Sequence, residues 1–296
     1  VGTALKFTAT VAEQSSGTPG YSDSIDYVAP TLTGLSGAAV SSPSPTTGGS
    51  QIVIAGDNYG PVGDSATIAA SYGPSGDRTK YTGASCTVIS HTQINCNTAP
   101  GVGSGLQWRV SVAGQTTSSF SGEDTAYQAP TISGLSGAAA NAAGTSTQGG
   151  IQLILAGTNF GPAGQLLVAA QYGPSGDTSK YTAGSCTVAV GHTSITCDTA
   201  EGAGKDLQWS VTVGGQASVV FTSQTTRYGD PVVQSRTDPA GGIPTAGGSS
   251  VGVNTVTLGG SNFGPSCTSC ATATYGGASG TEYGPVTCDV ILSHSS

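Results

Sequence analysis

Leu106-Gln-Trp-Arg-Val-Ser-Val112 is the stretch that decides the fold of this chain. Apolar and polar residues alternate along it, which is the pattern of a β-strand with one buried face. The residues expected to face a core are Leu106, Trp108, Val110 and Val112. The start of the stretch returns as Leu207-Gln-Trp209. Trp108 and Trp209 are therefore predicted to be packing anchors, in preference to platforms on which a ligand stacks.

The whole sequence repeats with a period of 100 to 103 residues. The segment 72–88 returns at 172–188 with 13 of 17 positions identical. Asn58-Tyr-Gly-Pro61 returns as Asn159-Phe-Gly-Pro162 and again as Asn262-Phe-Gly-Pro265. The predicted domains are two complete units, residues 28–127 and 128–228, between the last third of one unit at 1–27 and the first part of another at 229–296. Because the chain starts at Val1 and contains no Met, we expect a processed chain or a piece of a longer one.

Each complete unit is predicted to be an all-β sandwich. Six or seven short strands separated by Gly and Pro turns, with no helical period, are typical of an immunoglobulin-like β-sandwich. The strands predicted in the first unit cover Thr31–Leu35, Gln51–Gly56, Ala66–Tyr72, the hairpin Cys86–Ile89 with Ile94–Cys96, and Leu106–Val112. The linker Tyr-x-Ala-Pro is short and contains proline, so the tandem units are expected to form a semi-rigid rod.

The order of these motifs resembles the IPT/TIG domain. The pattern is Ala-Pro-x-Ile, Gly-Gly, Ile-x-Ile-x-Gly-x-Asn-Phe-Gly-Pro, Cys, Thr-x-Ile-x-Cys-x-Thr-Ala, Gly and Val-x-Val, and it covers essentially the whole chain. The resemblance implies an immunoglobulin-like fold, often in tandem, in large extracellular proteins such as plexins, Met-type receptors and fibrocystin-like surface proteins. Rel-type transcription factors have a related fold, but their DNA-contacting basic loops have no counterpart here.

The spacing of the seven cysteines predicts disulfides within units. Cys86 and Cys96 flank one predicted hairpin, and Cys186 and Cys197 flank the equivalent hairpin, so pairing within each unit is sterically reasonable. Cys288 aligns with Cys86, and its partner would fall just past the last residue, so we expect it to be unpaired by truncation.

A Cys-x-x-Cys motif lies at Cys267 and Cys270, after the third Asn-Phe-Gly-Pro. Redox chemistry would require a helix N-terminus to lower a thiol pKa, and zinc would require two further ligands. The motif is predicted to lie on a β-turn loop, which favours a local structural disulfide. Paired cysteines indicate an oxidising compartment, so the protein is predicted to be secreted or at the cell surface.

Charge and motif content argue against several classes of function. The net charge is −8, and the eight Lys and Arg residues do not cluster, which disfavours nucleic-acid binding. No stretch has the ~18 apolar residues of a membrane helix. One histidine recurs in each unit, but no catalytic triad accompanies it, so we expect no enzyme. The acidic residues are too scattered to bind calcium, so we expect no metal and no cofactor. The residues considered for these sites are His91, His192, His294, Asp57, Asp64, Asp77 and Asp177.

The loop Ser41-Ser-Pro-Ser-Pro45 is a candidate for O-glycosylation. Alternating Ser-Pro resembles the hydroxyproline glycosylation motifs of plant and algal wall proteins, and glycans would hydrate a surface in a chain with only 8% charged residues. An ordinary flexible loop is the alternative. The candidate positions are Ser42, Pro43, Ser44 and Pro45.

These features together predict a structural subunit of an extracellular filament, sheath or appendage, with copies of itself or other extracellular structural proteins as partners. The alternative is the stalk of a cell-surface receptor or adhesin that binds protein or glycan ligands. A third interpretation, in which the repeats are carbohydrate-binding accessories to an enzyme, requires exposed aromatic side chains. The repeated candidates for that platform are Tyr72, Tyr81, Tyr172 and Tyr181.

Overall fold

The computed structural model describes residues 1–17, 23–63, 65, 67–118, 120, 122–164, 168–237, 255–277 and 283–294. Asp64 and Ala66, which figure in the sequence predictions, lie outside the described residues. The described residues form antiparallel sheets, and no helix among them is long and apolar enough to cross a membrane. Near the start, strands β1 (Thr10–Val11) and β2 (Gln14–Ser15) form a small hairpin.

The first unit is a two-sheet sandwich. Its strands are β3 (Thr31–Ser36), β4 (Gln51–Asp57), β5 (Ile68–Gly73), β6 (Tyr81–Thr82), β7 (Ala84–Ser90), β8 (Gln93–Asn97), β9 (Gln107–Val112) and β10 (Gln115–Thr116). One sheet has the order β3-β4-β8-β7 and the other β10-β9-β5-β6. Alternate residues of each strand point into the space between the sheets, which is the arrangement of an immunoglobulin-like fold.

The second unit repeats this topology. Its strands are β11 (Thr131–Ser136), β12 (Gln152–Thr158), β13 (Val168–Gly173), β14 (Tyr181–Thr182), β15 (Gly184–Val190), β16 (Ser194–Asp198), β17 (Leu207–Val213), β18 (Gln216–Ala217) and β19 (Phe221–Thr226). The sheet orders are β11-β12-β16-β15 and β14-β13-β17-β18, and β19 pairs with β17.

The last described part of the chain contains two strand pairs. Strand β20 (Val232–Thr237) pairs with β21 (Thr257–Ser261), and β22 (Cys267–Tyr275) pairs with β23 (Tyr283–Val290). The pair β20-β21 occupies the place in the repeat that β3-β4 and β11-β12 occupy in the complete units.

The all-β prediction is confirmed, and the structure adds two short turns that the sequence pattern did not indicate. A single helical turn, α1, covers Ala38–Ser41, and a 3-10 turn covers Ala138–Ala140 in the second unit. Gly37, with φ +98°, redirects the chain out of β3, and the small side chain of Ala39 is buried beneath the turn. A four-residue turn is too short to show a helical period in the sequence.

The core of each unit is built around one tryptophan. Trp108 is fully buried and stacks on Tyr72 with ring centroids 4.0 Å apart, and Trp209 stacks on Tyr172 at 4.1 Å. The indole Nε1 of Trp108 donates to Thr125 Oγ1 at 2.9 Å, so its polar atom is satisfied inside the core. The predicted inward-facing residues Leu106, Trp108, Val110 and Val112 are at most 2% exposed.

The predicted aromatic platform does not exist. Tyr72, Tyr81 and Tyr172 are buried, and Tyr181 is half-buried. Their hydroxyls are used inside the protein: Tyr81, for example, donates to Val102 O at 2.8 Å. These tyrosines lie beside the core tryptophans, so their rings complete the hydrophobic interior and leave no stacking surface for a sugar.

Disulfides join the first two cysteine pairs across the sheet. Cys86 on β7 is bonded to Cys96 on β8, and Cys186 is bonded to Cys197 at the equivalent place. Cys267 and Cys270 are also joined, at the start of β22, a strand where the sequence predicted a loop. The thiol of Cys288 on β23 is unpaired in the structure.

A candidate interface between successive units

The Asn-x-Gly-Pro motif holds the start of each unit. Asn58, Asn159 and Asn262 all adopt left-handed backbone angles, with φ of 65°, 62° and 62°. The Nδ2 of Asn58 donates to Ala29 O at 3.1 Å, and Asn159 donates to Ala129 O at 3.2 Å. Asn262 repeats the bond with Asp230 O at 3.1 Å. Asparagine tolerates this conformation and supplies the amide donor, which explains why the motif recurs.

The end of each unit is held by the loop that follows its helical turn. Ser44 N donates to Ala126 O, and Gln128 N donates to Ser44 O, both at 2.8 Å. Thr145 makes the equivalent pair of bonds with Arg227 O and Gly229 N. The chain therefore leaves each unit along a fixed path.

The burial of Ser44 narrows the glycosylation hypothesis. Its side chain is 1% exposed and its hydroxyl has no hydrogen-bond partner among the described residues, so a modifying enzyme cannot reach it in the folded protein. Ser42, Pro43 and Pro45 are exposed. Ser44 is therefore withdrawn as a candidate, and the other three positions remain predictions.

A tyrosine anchors the last residue of each unit in its core. Tyr127 shares a 2.6 Å hydrogen bond with Tyr72, and its hydroxyl also contacts Ala99 O. Tyr228 makes the same bond with Tyr172 at 2.7 Å. Burial is the main cause that raises the pKa of Tyr127 and of Tyr228 above the ordinary value, so both hydroxyls stay protonated and able to donate.

A histidine joins the second unit to the first, and another joins the last part of the chain to the second unit. Nδ1 of His192, at the hairpin tip of the second unit, lies 2.8 Å from Oγ1 of Thr46 in the first unit. His294 lies 3.1 Å from Thr147 Oγ1, in the same way and one period later. The sequence showed that the histidines recur at one position of the repeat, but it did not show that they contact a neighbouring unit. The equivalent His91 is exposed.

A glutamine makes a second recurring contact. Gln216 Nε2 donates to the carbonyl oxygen of Tyr127 at 2.9 Å, and Gln115 Nε2 donates to the carbonyl oxygen of Tyr27 at 3.0 Å. Both glutamines follow the turn after the strand that carries the core tryptophan. Each therefore ties its own unit to the residue that ends the preceding unit.

An apolar contact completes the interface. Val102 of the first unit is 2% exposed and packs in the hydrophobic core of the second unit. Glycine allows this close approach: a Cβ on Gly214 would lie 2.8 Å from Val102 Cγ2. At the next junction a Cβ on Gly264, in the Asn-x-Gly-Pro motif, would lie 2.9 Å from Ala203 Cβ, and at the preceding junction a Cβ on Gly60, in the same motif, would lie 3.0 Å from Val1 Cγ1. The same part of the repeat thus meets the next unit at three successive positions.

The interface consists of hydrogen bonds and apolar packing, and at the junction with the last part of the chain Nε2 of His294 also lies 3.4 Å from Glu201 Oε2. It combines a histidine, a threonine, a glutamine amide and backbone carbonyls. Within the described part of the chain, no group of three or more His, Cys, Asp or Glu side chains is placed to hold a metal ion. This arrangement can fix the position of one unit on the next.

Comparisons with known proteins identify the domain type. Residues 38–127 match the family model of the IPT/TIG domain. No curated protein matches the chain in sequence. Similar solved structures include the plexin A4 full extracellular region, with 19% identity, a TM-score of 0.29, and coverage of 67% of this chain and 18% of that one.

Two other similar structures are surface proteins of bacteria. The surface glycan-binding protein PbSGBP-B from Prevotella bryantii has 14% identity and a TM-score of 0.40, and the match covers 85% of this chain and 57% of that one. The adhesin FdeC from Escherichia coli has 15% identity and a TM-score of 0.25, with coverage of 72% and 70%. The chain spans 18%, 49% and 62% of the first three structures it matches.

The family match covers most of the first unit, and the second unit repeats both its sequence and its strand order. Both units are all-β sandwiches of immunoglobulin type. The chain therefore contains an IPT/TIG domain at residues 38–127, and its second unit repeats the strand order of that domain.

Proposed function

We propose that the chain is a segment of an extracellular structural array, a filament, sheath or appendage in which tandem IPT/TIG units form a stiff rod. The units are residues 28–127 and 128–228, with parts of further units on either side. The proposal is supported most by one observation: the histidine–threonine contact recurs at successive junctions. A contact that repeats with the period of the chain supports the same geometry at these two junctions.

The energy of one junction supports stiffness. A neutral hydrogen bond contributes about 0.5–1.5 kcal/mol, and the full burial of a valine side chain contributes about 1.5–3 kcal/mol. Two such bonds and Val102 therefore favour the closed junction by roughly 2.5–6 kcal/mol before the entropy of ordering is subtracted. Since every 1.4 kcal/mol is about a tenfold preference, open junctions should be rare.

An extracellular location is supported by the three disulfides. Disulfides of structural type persist in oxidising compartments and are rare in the cytosol. The low content of charged residues, 8%, suits a surface that is covered by glycans or by neighbouring chains.

Small-angle X-ray scattering of the full chain tests the stiffness. The wild-type profile should fit one rigid arrangement, whereas the double variant His192→Ala with Gln216→Ala should require an ensemble with a larger mean radius of gyration. His91→Ala is the matched control, because His91 occupies the same repeat position but is exposed. A wild-type profile that already requires a flexible ensemble, or a double variant that matches the wild type, would count against a stiff junction.

Assembly is a separate question with its own test. The native protein should form fibres or sheets in electron micrographs and high-mass species in light scattering. A native chain that stays monomeric and forms no fibres would contradict the filament and favour the alternative, a stiff stalk of a receptor or adhesin.

A further inference from the structure

The second unit carries a groove whose polar lining includes side chains that the first unit lacks at the equivalent positions. The groove encloses about 370 Å³ between the end of β11, the loop after the 3-10 turn, the start of β17 and the end of β19. A volume of this size is in the range of small-molecule sites. The polar side chains that line it are Asn141, Asp206, Gln224 and Arg227.

The two units differ at these positions although they are otherwise close copies. Asp206 stands where the first unit has Gly105, and Arg227 stands where it has Ala126. The loop that carries Asn141 replaces the proline-containing Ser41–Pro45 loop and is one residue longer. A structural role shared by both units therefore does not explain these residues.

Asp206 adopts a left-handed backbone conformation that Gly105, at the equivalent position of the first unit, reaches more easily. Its φ is +57°, and that of Gly105 is +63°. Glycine enters this left-handed region without strain, while an aspartate does so less readily. The second unit thus places a carboxylate at the groove although the backbone conformation there favours glycine. Among the described residues, no hydrogen bond or ion pair engages that carboxylate.

Arg227 contributes a donor that lacks a partner. One guanidinium nitrogen pairs with Asp230, but Nε is buried and has no hydrogen-bond partner within the described ranges. A buried donor without a partner is costly, so a ligand oxygen at Nε would remove that cost. Gln224 is already oriented, because its Oε1 accepts from Leu135 N at 2.7 Å, which leaves its Nε2 hydrogens for another acceptor.

We propose that this groove binds a neutral oligosaccharide. A hydroxyl both donates and accepts, so sugar hydroxyls can donate to Asp206 and accept from Arg227 Nε and the amide nitrogens of Asn141 and Gln224. The side chain of Leu135 supplies an apolar wall for the C–H face of a sugar ring. An anionic ligand fits less well, because Asp206 and the net charge of −8 repel it. The site does not depend on the stiffness or assembly proposed above.

Saturation-transfer NMR on the full chain tests the site. The probes are neutral tetrasaccharides of β-1,4-glucose, β-1,4-xylose, β-1,4-mannose and α-1,4-glucose, and at least one should receive saturation at millimolar concentration. The variants Asp206→Gly and Arg227→Ala copy the first unit and should each weaken that binding at least tenfold. Lys205→Ala is the control, since Lys205 is adjacent in sequence but does not line the groove.

Loss of binding in the variants must come from the groove and not from unfolding. Circular dichroism should show an unchanged fold, because both replacements already occur in the first unit. If Asp206→Gly unfolds, the milder Asp206→Asn repeats the comparison. No saturation transfer to any of the four probes, equal binding by wild type and both variants, or binding to sulfated and uronate oligosaccharides alone would overturn the proposal.

Discussion

Replacing Tyr59 by phenylalanine should make the first unit more stable. The Tyr59 ring is fully buried, and its hydroxyl has no hydrogen-bond partner among the described residues. The hydroxyl is packed against the backbone of Gly56, where a Cβ would overlap it. The second unit has Phe160 at this position, also fully buried, so the repeat itself shows that the ring without its hydroxyl fits.

The size of the expected stability change follows from the burial of the Tyr59 hydroxyl. A buried polar group left unpaired costs about 1–3 kcal/mol, while Tyr59→Phe keeps the buried area of the ring. We therefore expect the free energy of unfolding of the first unit to rise by about 1–2 kcal/mol. With a urea dependence of about 1–3 kcal/mol per molar for a domain of this size, the midpoint should rise by roughly 0.5–1 M.

The assay must distinguish the two units within one chain. Amide hydrogen exchange read by mass spectrometry over a urea series does so, because peptides from β8 and β9 report on the first unit and peptides from β16 and β17 on the second. Phe160→Tyr is the matched reverse variant. It adds a hydroxyl at the equivalent buried position and should lower the midpoint of the second unit only.

A lower or unchanged midpoint for Tyr59→Phe would refute the reasoning. It would mean that the hydroxyl has a favourable partner in solution, so that its burial is not a cost. A rise in both units would also refute it, because the change is confined to one core.

Three further predictions concern the cores. Burial is the main cause that raises the pKa of several tyrosines, so their pKa values in the folded protein lie above the value near 10 in the unfolded chain. The stability that these tyrosines contribute is therefore complete below pH ~10 and is lost as the pH rises above it. These tyrosines are Tyr59, Tyr72 and Tyr127 in the first unit and Tyr172 and Tyr228 in the second. Alkaline titration followed by hydrogen exchange should show that the unfolding free energy of the first unit falls more steeply with pH than that of the second unit. The one additional raised tyrosine makes the difference up to about 1.4 kcal/mol per pH unit. Equal slopes of unfolding free energy against pH in the two units would contradict this prediction. Removing one disulfide with Cys86→Ala and Cys96→Ala should lower the unfolding free energy of the first unit by roughly 2–3 kcal/mol in denaturant, and the second unit serves as the control. Gly56→Ala should unfold the first unit in circular dichroism and exchange, because its Cβ would overlap Thr31 O, whereas Gly76→Ala meets no atom within 4 Å and should be tolerated.

The sequence predicted the strands and the core tryptophans because these depend on local patterns. Alternation over Leu106–Val112 is a property of neighbouring residues, and the structure buries all of its apolar positions. The tyrosines beside Trp108 were named only as candidates for an exposed platform, because a strand pattern does not show which of its end residues face the core. Tyr72 ends the predicted strand Ala66–Tyr72, and only the pairing of β5 with β9 shows that its ring lies against the indole.

The interface and the groove could not be predicted from one unit of sequence. Thr46 and His192 are 146 residues apart, and their contact depends on how one sandwich sits on the next. The recurrence of one histidine in each repeat was the available signal, since a position retained in every copy can serve the contact between copies. The groove had a different signal, the positions at which two similar repeats diverge, such as Gly105 and Asp206.

The edges of the sandwiches indicate how such a chain avoids unwanted association. Strand β3 lies at the edge of its sheet, where exposed backbone groups could pair with another chain. Glu123 Oε2 accepts from Leu35 N at 2.7 Å, and Gln224 Oε1 accepts from Leu135 N at the same distance in the second unit. A side chain thus occupies an edge donor in both units, next to a register shift in the strand pair. This chain has few charges to keep molecules apart, so blocked strand edges are one way to disfavour pairing between sheets of different molecules. The units then meet through their ends.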